Sequence, residues 1–354
     1  MVRGVDIESL TVWMDARNLG AGPIVNVRAL TGGTQNILLR FTREGRDYVL
    51  RRPPLYPRPN SNETMLREAR MLTALAKTQI PHPRLIALCE DTAVLGAVFY
   101  LMEPIEGFNP VAGLPALHHD PAVQHRMGLA VVETLAALGS LDHVALGLQD
   151  FGRPEGFLER QVARWQSQLD GYGQFADWPG PAALGDVTGI GAWLEANRPA
   201  SCAPGIIHGD YHLANMMFHV DSAEMAAVVD WELATSGDPL VDLGWLLATW
   251  PEAGEEGTIS VRPWIGFPTS AELVAHYTAS GGRATEAISW YAILGCYKLG
   301  ILLEGTYARA CAGKAPAETG EKLHKRSLWL FQRADRWLRD GHPAAQSREG
   351  CRQQ

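Results

Sequence analysis

Cysteine is scarce in this chain of 354 residues, and the little there is forms no pattern. Cys89, Cys202, Cys296, Cys311 and Cys351 are odd in number and widely scattered, and no pair has CxxC spacing, which argues against a disulfide framework or a cysteine zinc site. Long apolar runs are missing as well. None approaches the roughly 20 residues of a membrane-spanning helix, and MVRGVDIESLTVW carries acidic residues where a secretory signal is apolar. The expectation is a cytoplasmic protein with no membrane partner. A basic stripe is also lacking, so nucleic acid is not an expected partner. With 46% hydrophobic residues the chain is of ordinary globular composition, long enough for two lobes and a sizeable core.

Charge is uneven along the chain. Residues 1–105 hold 13 Lys and Arg against 10 Asp and Glu, the remainder 18 against 29, so a net charge of -8 divides into a mildly basic part and an acidic one. That asymmetry fits a lobe that meets an anionic nucleotide joined to one that need not.

The chemistry is concentrated in IIHGDYHLANMMFHVDSAEMAAVVDWE, residues 206–232. Ile206 and Ile207 read as the end of a buried strand, and HGDYHLAN as a polar loop. Residues 216–220 and 225–229 have strand character around a polar turn, which predicts a hairpin with equal arms. Asn215, just before the first arm, and Asp230, just after the second, are then neighbours at its open end. A carboxylate and an amide carbonyl converging there suit Mg2+, which takes oxygen ligands and is usually held by few protein groups plus phosphate. Asp210, five residues before Asn215, is placed to accept a proton from an attacking hydroxyl. His208 and His212 flank it, but a zinc reading of HxDxH lacks a second His/Asp cluster to complete it.

The order Asp210, four residues, Asn215, hairpin, Asp230 resembles the catalytic arrangement of protein-kinase-like phosphotransferases. The HGDxHxxN form, with Gly209 where protein kinases usually have Arg, is similar to the aminoglycoside phosphotransferase and choline kinase branch. The resemblance implies an α+β, bilobal protein-kinase-like fold, with an antiparallel sheet and one main helix in the N-terminal lobe and a larger, mostly helical C-terminal lobe. It implies an enzyme, a small-molecule kinase that moves the γ-phosphate of ATP to a hydroxyl, with Asp210 as catalytic base and Asn215 and Asp230 holding Mg2+ bound to ATP. LTGGTQN, YVLRRPP and KLGILLEGTYAR look most like the branch also found fused to acyl-CoA dehydrogenases. That implies a hydroxyacyl-CoA or hydroxy acid as the alternative acceptor to an aminoglycoside.

Residues 25–30, 37–42 and 48–51 alternate as strands around Gly32-Gly33 and Glu44-Gly45. Gly32 and Gly33 admit close backbone approach, so the N–H groups of Thr34, Gln35 and Asn36 are candidates for phosphate contacts. In YVLRR, Val49 and Arg51 share one face, while Tyr48, Leu50 and Arg52 share the other, with Arg52 expected at the surface. By the resemblance Arg51 stands nearest to the place of a lysine and would bind the α- and β-phosphates through its planar fork. A helix is predicted over 63–77, capped by Asn60, Ser61 or Asn62, with an apolar stripe of Leu66, Ala69, Leu72 and Leu75 or Ala76. In the family an acidic residue of this helix pairs with the strand's cation, which implies Glu68; Glu63 competes, but its first-turn position suits the helix dipole. Strands over 85–90 and 98–102 lead into EPIEGF, which resembles the hinge between lobes. There Pro104 has no N–H, leaving the backbone of Glu103 and Ile105 for the adenine edge, with Met217 beneath the base.

Helical periods over 124–141, 156–169, 289–312 and 321–340 build the second lobe. Residues 171–204 break the pattern and read as either a substrate-facing insertion or an irregular connection. Asp238-Pro239 reads as a helix cap, and Asp242 as a brace for the catalytic loop. The expected division is 1–103 for the nucleotide lobe, 104–342 for the catalytic and substrate lobe, and 343–354 for a disordered tail. A polycationic aminoglycoside would want carboxylates such as Glu252, Glu255 and Glu256. An acyl-CoA would want arginines beside an apolar groove, for which Trp245, Trp250, Trp264 and Trp290 are available. In a different class, Arg51 in place of lysine suggests a nucleotide-binding pseudokinase that works by interaction.

Overall fold

The alternating segments become β1 (Val25–Ala29), β2 (Ile37–Arg43), β3 (Arg46–Arg52), β4 (Leu85–Cys89) and β5 (Phe99–Met102), one antiparallel sheet in the order β1-β2-β3-β5-β4. The computed structural model describes residues 4–30, 36–200, 203–252 and 257–345. Glu44 and Gly45, both at positive φ, make the two-residue turn between β2 and β3 and set their register from Arg43 opposite Arg46. Period 2 in β3 sends its two faces into different cores. Tyr48 and Leu50 pack with Leu10, Trp13 and Met14 of α1 (Ile7–Asp15), whose first turn is capped by Asp6. Val49 faces the other way, into a core shared by α2 (Ser61–Leu75) and the C-terminal lobe. Arg52, expected at the surface, is instead buried, with its guanidinium on the Pro53 and Gly4 carbonyls.

The buried stripe of α2 runs through Met65, Glu68, Ala69 and Leu72, so Met65 takes the place expected of Leu66, which is only half-buried. Asn60 occupies the N-cap without a side-chain bond, and Asn62 turns its Oδ1 to the Val98 N–H at 3.1 Å, tying the helix start to the strand side of the lobe. A short α3 (Thr92–Leu95) joins β4 to β5.

After the hinge the chain is stitched to the C-terminal lobe at once, because Phe108 and Phe218 exchange both backbone hydrogen bonds at 2.9 Å. Gly107 permits this approach: a Cβ there would stand 2.4 Å from the Phe218 carbonyl oxygen. The helices that follow are α4 (Pro121–Ser140), α5 (Gln161–Asp170), α6 (Val187–Ala196), α7 (Leu240–Thr249), α8 (Ser270–Ala279), α9 (Ile288–Cys311) and α10 (Ala317–Asp340). Asp120 caps α4 with proline at its first position, and Thr269 with Glu272 forms a capping box on α8. The stretch 171–204 holds α6 and two short 3-10 turns among irregular connections, and its Trp178 indole bonds to the buried Glu304 of α9 at 2.8 Å. α7 is buried along its whole length. Two short ribbons sit against these helices, β6 (Gly205–Ile207) with β9 (Thr235–Gly237), and β7 (Met216–Phe218) with β8 (Met225–Val228).

The hairpin arms are shorter than the sequence suggests. A register shift falls between Met217 and Phe218, and Val220 lies exposed in the turn. Pro343–Ala345, expected in a disordered tail, begin a helical turn with Ala344 buried; residues 346–354 are outside the described part. Among the described residues no helix is long and apolar enough to cross a membrane.

Candidate active site

β3, α2 and the end of β8 bring one cation against three carboxylates. Arg51, 6% exposed, faces Glu68 Oε2 through Nε at 2.9 Å, Asp230 Oδ1 through Nη2 at 2.5 Å, and Glu232 Oε2 at 3.5 Å. Burial works against the charged guanidinium, but Glu68 and Asp230 outweigh it and hold Arg51 above its ordinary value. Burial pushes Glu68 up, Arg51 opposes that, and Asp230 adds to it. The other Glu68 oxygen accepts the Trp231 N–H at 3.1 Å, so α2 is fastened to the residue that follows Asp230.

Asp230 itself sits at φ 68° and ψ 63°, a left-handed conformation that costs a residue with a Cβ on the order of 1 kcal/mol and recurs at functional sites. It is where β8 gives way to the turn Trp231–Leu233. Across the hairpin the Val229 N–H donates to the Asn215 carbonyl at 2.9 Å, which places Asn215 beside Asp230 as the sequence suggests. Asn215 commits its amide nitrogen to Asp210, on the backbone oxygen and on Oδ2, both at 3.0 Å. Its side-chain oxygen therefore remains an acceptor. This donor set fits Mg2+: a carboxylate oxygen of Asp230 and an amide oxygen of Asn215 are hard ligands side by side at the open end of the hairpin. Among the described residues no group of three or more His, Cys, Asp or Glu is arranged to hold a metal.

The loop bearing Asp210 leaves β6 and is braced from below. Asp242 of α7 accepts the N–H groups of His208 at 2.6 Å and Gly209 at 2.9 Å, the brace expected of it. Its own carboxyl is raised to about 6 by burial, against the pull of those two amides. His208 is fully buried; its Nδ1 accepts the Asp210 N–H at 3.2 Å, so Nε2 carries the proton and donates to the Val229 carbonyl at 3.0 Å. Burial keeps that ring neutral. Gly209 stands at φ 87°, where a Cβ would meet the Leu233 carbonyl oxygen at 2.6 Å. Asp210 Oδ1 receives the Trp245 indole N–H at 3.0 Å and lies 3.0 Å from His212 Nε2. Burial alone would push this carboxyl up. The His212 hydrogen bond and the charge of Lys298 prevail and hold it well below the usual carboxylate range.

Arg51, Glu68, Val49, Glu103, Ile105, Asn215, Met217 and Asp230 all line one cleft of about 660 Å3, an ordinary size for a small-molecule site. Glu103 gives its N–H to the Arg84 carbonyl at 2.9 Å and keeps its own carbonyl. Asn36, beside the cleft residues of β2, donates to Glu232 at 3.2 Å, although neither side chain lines the cleft itself. Gly32, Gly33, Thr34 and Gln35 lie outside the described residues. Four participants were not assigned to this site from the sequence: Glu232, His212, weighed only for zinc, Trp245, weighed only for an acyl groove, and Lys298, whose ammonium donates to the Gly209 carbonyl at 2.9 Å. Glu232 and His212 stand inside the quoted motif, whereas Trp245 and Lys298 come from helices far along the chain. Of the four tryptophans offered for a groove, Trp245 stands on α7 and gives its indole N–H to Asp210.

Comparison with known proteins agrees with this geometry. A model of the phosphotransferase enzyme family matches residues 26–283. Acyl-CoA dehydrogenase family member 11 of Gallus gallus is 32% identical over 315 residues, 85% of this chain and 39% of that protein; its Homo sapiens counterpart is 30% identical over 354 residues, 91% and 44%. The chain thus spans less than half the length of the curated relatives it matches. Among solved structures, a Ralstonia eutropha protein named by inference as an aminoglycoside phosphotransferase superposes with a TM-score of 0.76 at 28% identity, over 94% of this chain and 99% of that one. The GDP and kanamycin complex of APH(2")-IIIa shares the fold, with a TM-score of 0.64 at 15% identity over 93% and 99%. With its antiparallel N-terminal lobe, helical C-terminal lobe and HGD loop, the chain belongs to the phosphotransferase enzyme family.

Proposed function

We propose that the protein transfers the γ-phosphate of ATP to a hydroxyl of a small molecule, with residues 1–103 as the nucleotide lobe and 104–342 as the catalytic and substrate lobe. The observation that carries this reading is the convergence of Arg51, Asn215 and Asp230 on one cleft, with Asp210 hydrogen-bonded to Asn215 from the same loop. Adenine would lie between Val49 and Met217, meeting the Glu103 carbonyl and the Ile105 N–H. Asn215 and Asp230 would hold Mg2+, which when bound neutralises charge on the β- and γ-phosphates. Arg51 serves the phosphate tail from β3, with Glu68 keeping it in place. Gly32, Gly33, Thr34, Gln35 and Asn36 would contact the phosphates through their backbone N–H groups.

Asp210 is ionised and held by three donors, so its carboxylate is fixed in one orientation. It takes the proton of the acceptor hydroxyl as the new oxygen–phosphorus bond forms and the bond from the γ-phosphorus to ADP breaks. Positioning and charge supply the acceleration. For the acceptor, a hydroxyacyl-CoA or hydroxy acid is favoured over an aminoglycoside. Lys298 and His212 beside Asp210 are cationic or neutral, and Glu252 is turned toward the buried Arg333 at 3.6 Å.

The test is one panel of γ-labelled ATP assays with Mg2+, on hydroxyacyl-CoAs, hydroxy acids, choline-like alcohols and aminoglycosides. Transfer to acyl alcohols supports the full reading. Transfer to aminoglycosides alone overturns the acceptor, and nucleotide binding with no transfer to any alcohol replaces the enzyme with a pseudokinase.

A further inference from the structure

Lys298 opens the α9 segment KLGILLEGTYAR, and no step of phosphoryl transfer uses it. It is 9% exposed. Among the described residues its ammonium makes one hydrogen bond, to the Gly209 carbonyl, and has no carboxylate within ion-pair reach. A desolvated ammonium with so few partners is costly. Aromatic faces make up the difference, with the Trp245 ring centre 4.1 Å from Nζ and the Trp165 ring centre at 5.5 Å.

Two routes lead from this cation to Asp210. The first is the peptide of Gly209, held at its N–H by Asp242 at 2.9 Å and at its carbonyl by Lys298 at 2.9 Å. Asp210 is the next residue. The second is the Trp245 indole, which lies against Lys298 and donates to Asp210 Oδ1 at 3.0 Å. A lysine bonded directly to Asp210 would occupy the oxygens that must receive a proton. Lys298 avoids this by acting from behind a carbonyl and a ring.

We propose that Lys298 is a positioning residue for the catalytic carboxylate: from α9 it fixes the Gly209 peptide and the Trp245 indole, and only its charged form does so. The charged groups that face it are Asp242 from α7, Asp210 from the loop and Arg164 from α5. Burial brings its pKa down to about 8, the two carboxylates resist, and Arg164 adds to the depression. The charge is therefore retained at neutral pH and lost in the mildly alkaline range. The activity arm of the test rests on the phosphotransfer reading above; the exchange arm does not.

Lys298→Met keeps the apolar stem and removes the charge, and Lys298→Arg retains it. The acceptor is the best alcohol of the panel or, where none is phosphorylated, water in slow ATP hydrolysis. The expected result for Lys298→Met is a kcat lowered roughly 10- to 100-fold, as for a small misplacement of a reacting group, with KM for ATP and acceptor within about threefold. Wild-type kcat should decline above about pH 8. Lys298→Met should lack that alkaline limb, and Lys298→Arg should recover most of kcat and carry the limb beyond the range tested. Amide hydrogen exchange in the peptide covering residues 206–215 should be faster in Lys298→Met than in wild type.

An unchanged kcat in Lys298→Met overturns the proposal, as does a loss that arginine does not rescue and that leaves the alkaline limb intact. If Lys298→Met does not fold, the wild-type limb and its displacement in Lys298→Arg decide. If the wild type transfers no phosphate at all, the phosphotransfer reading fails, and exchange rates that are equal in wild type and variant then overturn the role of Lys298 as well.

Discussion

Arg51 and Asp230 meet across the two lobes, with Nη2 2.5 Å from Oδ1. The carboxylate that would hold Mg2+ is thus already paired with the cation that would hold the phosphates. On the proposed function, loading the cleft with a metal nucleotide would be an exchange of partners, in which Arg51 would pass from Asp230 to phosphate oxygens while its ion pair with Glu68 stayed in place.

That arrangement makes Arg51 structural as well as functional. Arg51→Met leaves Glu68, 2% exposed, as a buried carboxylate without its cation. Breaking a buried pair in this way commonly costs about 3–5 kcal/mol. Urea unfolding should show a loss of that size, and Arg51→Lys a smaller one, because a point charge can still face Glu68. Equal stability of all three proteins would contradict the clamp.

Asp210→Asn preserves shape and can still accept from Trp245, but it cannot take up a proton. Phosphoryl transfer should fall by ~10² to 10⁴, the usual cost of a lost general base, with ATP affinity nearly unchanged. Turnover close to wild type would remove Asp210 from the role of base.

Asp230→Ala should abolish the Mg2+ dependence of nucleotide binding, and Asn215→Ala should weaken it less, since a carboxylate contributes charge and an amide only a dipole. Calorimetric titration of ATP with and without Mg2+ checks both. The same Mg2+-independent affinity in wild type and both variants would argue against the metal pair.

His342 provides a prediction about pH. Its ring is fully buried against Trp337, and its Nδ1 accepts the Ala344 N–H at 3.1 Å. Burial first, and Arg333 second, pull its pKa from 6.5 down to about 3. Between those values the unfolded chain binds the proton more readily than the folded one. This contribution is complete above about pH 6.5 and is lost as pH falls toward 3. His342→Asn, which keeps an acceptor, should flatten the loss of Tm between pH 6.5 and 4; an unchanged slope would rule His342 out as its source.

The hairpin and its loop were legible because their signal is local. A polar break between two short apolar runs fixes which ends meet, and Asn215 and Asp230 are neighbours for that reason alone. Val49 and Arg51 were placed by the two-residue period of β3, yet the same period could not show that the opposite face, with Arg52, would be covered by α1. α1 lies outside any expectation drawn from the sequence. Lys298 and Trp245 were illegible as site residues, because a helical period marks both as core and gives no hint of which loop the core supports. Glu232 was within the quoted motif, but its partners, Asn36 and Arg51, are about 200 residues away in sequence, beyond the reach of spacing.

The backbone stitch between Phe108 and Phe218 limits where the molecule can pivot. Any swing of one lobe on the other must be absorbed before Phe108, in the few residues after Met102, and there Pro104 has its φ fixed. The hairpin ending in Asp230 is carried by the C-terminal lobe, and the strand ending in Arg51 by the sheet. A swing would therefore draw the guanidinium away from the carboxylate, so that their separation would measure how far the cleft between them is open.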